Sequence, residues 1–173
     1  YNPDTEESRK FFATIQNKMH WAAHGQTAAE VIFNRSDAGK DNMGLTNWAG
    51  PKIRKNEVCV AKNYLTQEEL DILNRIVTAY LEFAEIQALN RKPMYMKDWI
   101  VKLDDFLKLS GREILTDAGK ISHEIASQKA LKEFESFHAR QLNEPTEVEK
   151  DFIEAEKKIK LIKHDGNKKG KLK

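Results

Sequence analysis

The chain has 173 residues, 40% of them apolar and 32% charged, with a net charge of +2. That length suits one domain with a core of its own, and no apolar run approaches the roughly 20 residues that span a bilayer. The opening YNPDTEESRKFF lacks the basic-then-apolar character of a signal peptide, and Cys59, the only cysteine, excludes an internal disulfide or a thiolate metal cluster.

Helical signals dominate in chain order. Asn2 as N-cap and Pro3 in the first turn predict a helix start, with acids favouring its dipole. Phe12, Ile15, Met19 and Ala22 continue it to His24, and Gly25 stops it. Thr27 and Glu30 form a capping box for a second, shorter helix with Val31 and Ile32 inward. Residues 36–55 carry Gly39, Gly44, Gly50 and Pro51 and no periodicity, a length at which loops are functional or mobile; Met43, Leu45 and Trp48 predict that it packs on the body. In VCVA, Cys59 reads as a small buried hydrophobe, and NEVCVAKNYL predicts a helical turn.

Thr66 and Glu69 cap the strongest helix, residues 66–91. Its two apolar stripes, one through Leu73, Val77 and Leu81 and one through Ile72, Ile76 and Phe83, predict burial on more than one side and a central position. Pro93 ends it. A helix over 95–109 turns Trp99, Ile100, Leu103 and Phe106 inward. Another, over 121–142, turns Ile125, Ala126, Ala130, Phe134 and Phe137 inward. Thr146 and Glu149 cap a last amphipathic helix over 146–163. Trp21, Trp48, Trp99, Tyr64, Tyr80 and Tyr95 read as core aromatics. The prediction is an all-α, irregular helical bundle around a central helix with one long structured loop. A single helical domain covers residues 1–163, and a basic flexible tail follows over 164–173.

Charge is uneven. Residues 156–173 hold eight lysines against Glu156 and Asp165, leaving the rest of the chain mildly acidic. A dedicated DNA-binding domain would show a basic stripe on its folded face; the lysine tail alone offers non-specific attraction to nucleic acid.

The candidates for chemistry gather around HWAAHGQTAAE. His20 and His24 stand one helical turn apart, a spacing that holds zinc when a third ligand comes from elsewhere. There is no HExxH pattern, so no metal site is assigned and the two histidines are weak candidates only. Gly25, Gln26 and Thr27 precede a helix N-terminus, where an anion could sit, and Glu30 serves as a cap. Arg35, Asp37 and Asn42 lie in or beside the loop, Lys62 and Asn63 before the strong helix, and Asn74 and Arg75 on it. Were the last two inward, they would need partners such as Asp37 or Glu30. A structural polar network is the default reading, and a ligand-binding cleft the alternative. No nucleophile–base arrangement can be assigned.

Several blocks occur together in a telling order: FFATIQNKMHWAAHGQTAAEVI, DNMGLTNW, VAKNYLTQEELDILNRIVTAYLEFAE, PMYMKDWIVKLDDFL and AGKIS. In this combination the chain resembles the RhuM family of bacterial virulence-associated proteins over about residues 1–140. The resemblance implies bacterial origin, a virulence or mobile-element context, and an upstream region that looks DNA-binding or regulatory, making this chain look like a C-terminal half. The same junction is also similar to the HPFxDGNxR motif of the Fic and Doc nucleotidyl- and phosphotransferases, with His20 at the motif histidine and Gly25 at its glycine. Trp21 and Ala22 replace Pro and Phe, His24 the metal-binding acid, Gln26 the Asn, and Ala28 the phosphate-gripping Arg.

The expected function is a non-catalytic interaction or oligomerisation module serving the upstream region. The alternative is a degenerate or atypical Fic/Doc-like domain that binds or transfers nucleotides, with a nucleotide as its ligand; no cofactor follows from the residues alone. Expected partners are a protein or a second copy, with nucleic acid reached through the upstream region or the lysine tail, and no membrane. A bacterial cytoplasmic location is expected, compatible with secretion into a host.

Overall fold

The structure, a computed structural model, describes residues 5–91, 93–143 and 151–158. Five helices carry it: α1 (Glu6–His24), α2 (Ala28–Arg35), α3 (Gln67–Leu89), α4 (Met96–Leu109) and α5 (His123–Asn143). 3-10 turns occupy Asp41–Gly44 and Ala61–Tyr64. No strand occurs among the described residues, so the fold is all-α.

The chain divides into two compact units, Tyr1–Glu135 and Ser136–Lys173. The second holds the last part of α5, where Phe137 is buried under the Arg140 guanidinium, 5.6 Å from its ring centre. It also holds a helical stretch at 151–158, part of the helix expected over 146–163, with Phe152 and Ile153 exposed. Its capping pair Thr146 and Glu149 and the tail 164–173 lie outside the described residues.

In the first unit α1 packs on α2, α3 and α4. The expected start at Asn2 and Pro3 lies outside the described residues; the helix is capped at Thr5, whose Oγ1 accepts the Ser8 amide at 3.2 Å. It ends as expected at Gly25, whose φ of 75° lets its N–H reach Trp21 O. Near that end Lys18 is buried, and its ammonium donates to Leu115 O at 2.7 Å and pairs with Asp104 of α4 at 2.8 Å. The apolar stem fills the interface while the charge stays paired, which is what permits a lysine there.

Both capping boxes form. Thr27 with Glu30 starts α2, and Thr66 with Glu69 starts α3; a cap of this kind contributes about 1 kcal/mol. Val31 and Ile32 are fully buried, worth roughly 1.5–3 kcal/mol each. The 36–55 segment packs on the body through Met43 and Leu45, both buried.

Helix α3 departs from expectation. Its buried residues Leu73, Ile76 and Tyr80 form one stripe, whereas Leu81, Ile86 and Leu89 stand exposed. Each predicted stripe is buried in its first half, at Leu73 and Ile76, and the first runs out into solvent at Leu81, so the C-terminal half of the helix carries an open apolar side. Tyr80, Phe83 and Phe106 stack between α3 and α4, and Tyr80 Oη donates to Trp99 O at 2.7 Å. Burial pushes the Tyr80 phenol up to about 12. Two further residues expected inside are outside: Tyr95 caps α4 from an exposed position, and Ile125 of α5 is half exposed, while Ala126 and Ala130 face the core.

Candidate functional site: the α1–α2 junction and the adjoining pocket

The junction sets α1 against α2 around Gly25. His20, 1% exposed, meets His24 one turn later, with Nδ1 of the first 2.9 Å from Nε2 of the second. One hydrogen is shared across that contact, so both rings cannot be charged comfortably. Burial holds His20 down to about 4, with the positive ends of His24 and Lys62 acting in the same direction. His24 is also lowered by burial, against the pull of the Glu69 carboxylate. Its Nδ1 is buried without a hydrogen-bond partner among the described residues.

Beside the histidines, Arg35 closes α2. Its guanidinium forks onto Glu69 at 2.6 and 2.7 Å and donates to Tyr64 O at 2.9 Å and Gln26 Oε1 at 3.4 Å. The fork and the Thr66 amide hold the Glu69 carboxyl down to about 2. A bidentate guanidinium–carboxylate pair is strong and directional, so it fixes the end of α2 against the start of α3. Thr27 and Glu30 are likewise engaged. Glu30 Oε2 accepts the Thr27 amide at 2.9 Å and Oε1 the Lys120 amide at 2.8 Å.

The structure therefore brings together His20, His24, Gln26 and Arg35, and sets Gly25, Thr27 and Glu30 beside them. It leaves other candidates elsewhere. Asp37 accepts the Gly39 amide within its own turn, and Asn42 sits exposed in a left-handed turn at φ 51°. Asn63 donates to Glu57 O at 2.9 Å. Asn74 and Arg75 are exposed on the outer side of α3 with Asp71, Thr78 and Glu82, so neither takes Asp37 or Glu30 as an inward partner. Glu69 is central to the network, and sequence reasoning treated it only as a cap. No three His, Cys, Asp or Glu residues among those described are placed to hold a metal ion.

Open space lies farther along α1 and α2. A pocket of about 630 Å³ runs between α1, α2, the 59–62 stretch and residues 118–123. Alanines 13, 28, 29, 61 and 118 keep it open, and Ile32, Val60 and Ile121 add apolar wall. Asn17 Oδ1 accepts the Ala28 amide at 3.3 Å, and Ser122 Oγ the Ile125 amide at 3.2 Å. Lys62 reaches the wall with no ion pair to a described residue. Cys59 lines the pocket and is only half-buried, which corrects its reading as a buried hydrophobe. Of these residues only Lys62 was a ligand-binding candidate in the sequence, because alanines that shape a cavity have no motif of their own.

An all-α protein with a largely paired polar junction and an apolar pocket beside it is the class that the fold and site define. The family model described as Virulence protein RhuM family matches residues 1–145, and the chain belongs to that family. No curated protein and no solved structure matches it, so the likeness to Fic and Doc proteins stays one of residues alone. No helix among the described residues is long and apolar enough to cross a membrane.

Proposed function

We propose that this RhuM-family chain is a non-catalytic oligomerisation module, and that its partner through α3 and α4 is a second copy of itself. The carrying observation is the open face of these helices. Leu81 and Ile86 are each 58% exposed, Leu89 80% and Val101 58%. Large exposed apolar side chains that gather in one patch mark interaction surfaces more than ordinary solvent faces, and we place these four in one such patch. The charges around them are self-complementary. Glu82 and Glu85 lie among the α3 residues, and Lys97 and Lys102 stand on either side of Val101 on α4, all four exposed. A two-fold axis would set the acidic edge of one copy against the lysine edge of the other, as an isologous interface requires. In a longer chain the module would serve a regulatory or DNA-binding-like region upstream of it.

The mutual pairing of Arg35, Glu69, Gln26, Thr27 and Glu30 supports this reading over nucleotide transfer, which needs charge left free for phosphates. Sedimentation equilibrium of the full chain tests it. A dimer is expected, converted to monomer by Leu81→Asp or Leu89→Asp with helical circular dichroism unchanged. A wild-type chain that stays monomeric at high micromolar concentration would overturn it.

A further inference from the structure

We infer that the pocket between α1, α2 and residues 118–123 is a binding site for a small apolar monoanion, a carboxylic acid with an aliphatic body. The site is independent of the α3–α4 face, so either proposal can fail alone.

Its size comes first. At about 630 Å³ it falls within the roughly 300–1,000 Å³ of small-molecule sites. It draws on chain segments far apart in sequence, and the first unit holds them with long-range bonds. Lys120 N donates to Glu30 at 2.8 Å just behind Ala118, and Lys129 Nζ donates to Phe33 O at the far end of α2. The pocket is thus braced on the side where its last wall attaches.

The lining chooses the ligand class. Small side chains on several elements leave room without contributing polar groups, so the body of the ligand must be apolar. Asn17 and Ser122 already accept backbone amides, and Gln16, exposed on the lining, is neutral. Lys62 is different: an exposed lysine on the wall, its ammonium unpaired among the described residues. An ammonium at the edge of an apolar cavity favours one carboxylate, held as a charge-assisted pair. No second cation with a free head stands beside it on the lining other than His123, whose ring is 3.4 Å from Ser127 Oγ. That favours a monoanion over a di- or triphosphate.

Cys59 supplies the readout, since it is the sole cysteine and lines the pocket. The experiment measures its alkylation by iodoacetamide in the full chain, with octanoate, octanol or octylamine present. Octanoate is expected to slow alkylation saturably, at least fivefold, at concentrations where octanol and octylamine slow it less than twofold. Lys62→Gln, at an exposed position, should weaken octanoate protection about tenfold and leave the octanol effect unchanged. Ala118→Phe, also exposed, should abolish protection while circular dichroism stays native. Equal protection by octanol, or full octanoate protection in Lys62→Gln, would overturn the monoanion assignment. No protection by any of the three would overturn the site.

Discussion

The amide of Lys120 donates to Glu30 Oε1 at 2.8 Å, joining two residues 90 positions apart. The other oxygen of the same carboxylate caps α2 through the Thr27 amide at 2.9 Å. One side chain therefore finishes a helix locally and anchors a distant loop. Gly119 makes the approach possible: a Cβ there would stand 2.7 Å from Thr27 Cγ2.

Replacing Glu30 removes both contacts at a position 8% exposed. The buried Thr27 amide and the part-buried Lys120 amide would lose their acceptor, at about 1–3 kcal/mol for the first and less for the second. Glu30→Ala is expected to lose roughly 2–4 kcal/mol of stability, seen as a lower urea midpoint with the slope unchanged. Glu124→Ala, on exposed surface at the start of α5, should stay within about 0.5 kcal/mol. Similar losses in the two variants would show that the bridge adds nothing.

Glycine substitutions should rank by what a Cβ would meet. At Gly44, with φ 84°, it would lie 2.2 Å from Arg35 O, a backbone atom that cannot step aside. At Gly25, with φ 75°, nothing stands within 4 Å. Gly25→Ala then carries only the left-handed penalty, about 1–2 kcal/mol. Gly44→Ala carries that and a backbone displacement, so it should be the more destabilising by at least roughly 2 kcal/mol. Thermal unfolding of the two variants checks the order.

Acid should weaken the fold in two windows. His20 is held down to about 4 by burial first, while in the unfolded chain it titrates near its ordinary 6.5. Lowering the pH from about 6.5 protonates the unfolded state before the folded one, so stability falls until about pH 4 and this contribution then levels off. A shift of that size corresponds to about 3 kcal/mol. Glu69, held down to about 2 by the Arg35 guanidinium, keeps its full contribution above its ordinary value near 4.5 and loses it as the pH falls toward 2. Urea midpoints at pH 7, 5.5 and 4.5 should fall in wild type and fall less steeply in His20→Phe, where His24, also held down by burial, still contributes. An equal slope in both would remove His20 as the cause.

Arg35→Lys keeps the charge and loses the fork. A lysine cannot span both Glu69 oxygens and Tyr64 O in the geometry seen at 2.6–2.9 Å. With both side chains about a quarter exposed, solvent screening limits the loss, expected at about 1–2 kcal/mol. A double-mutant cycle of Arg35→Met with Glu69→Gln should return a coupling of the same order; zero coupling would mean that the pair is incidental.

Part of the molecule is local and part is not. The capping boxes at Thr27–Glu30 and Thr66–Glu69, the stop at Gly25, and the helices α3 and α4 lie in the sequence itself. Their interactions join residues three to five apart, and backbone geometry brings such residues together wherever a helix forms. At the start of α1 the cap is Thr5, a residue that no capping box marks in the sequence, through its contact with Ser8. Periodicity marks which faces of α3 are apolar, but a stripe is covered only if another element lies over it; Leu73 is covered and Leu81 is not. The Arg35–Glu69 fork, the Lys120–Glu30 bridge, and the pocket walled by Ala13, Ala61 and Ala118 depend on the packing of α1 against α2, α3 and α4. That packing is set by the summed fit of many side chains, so only the tertiary structure decided which distant residues meet and where space remains between them.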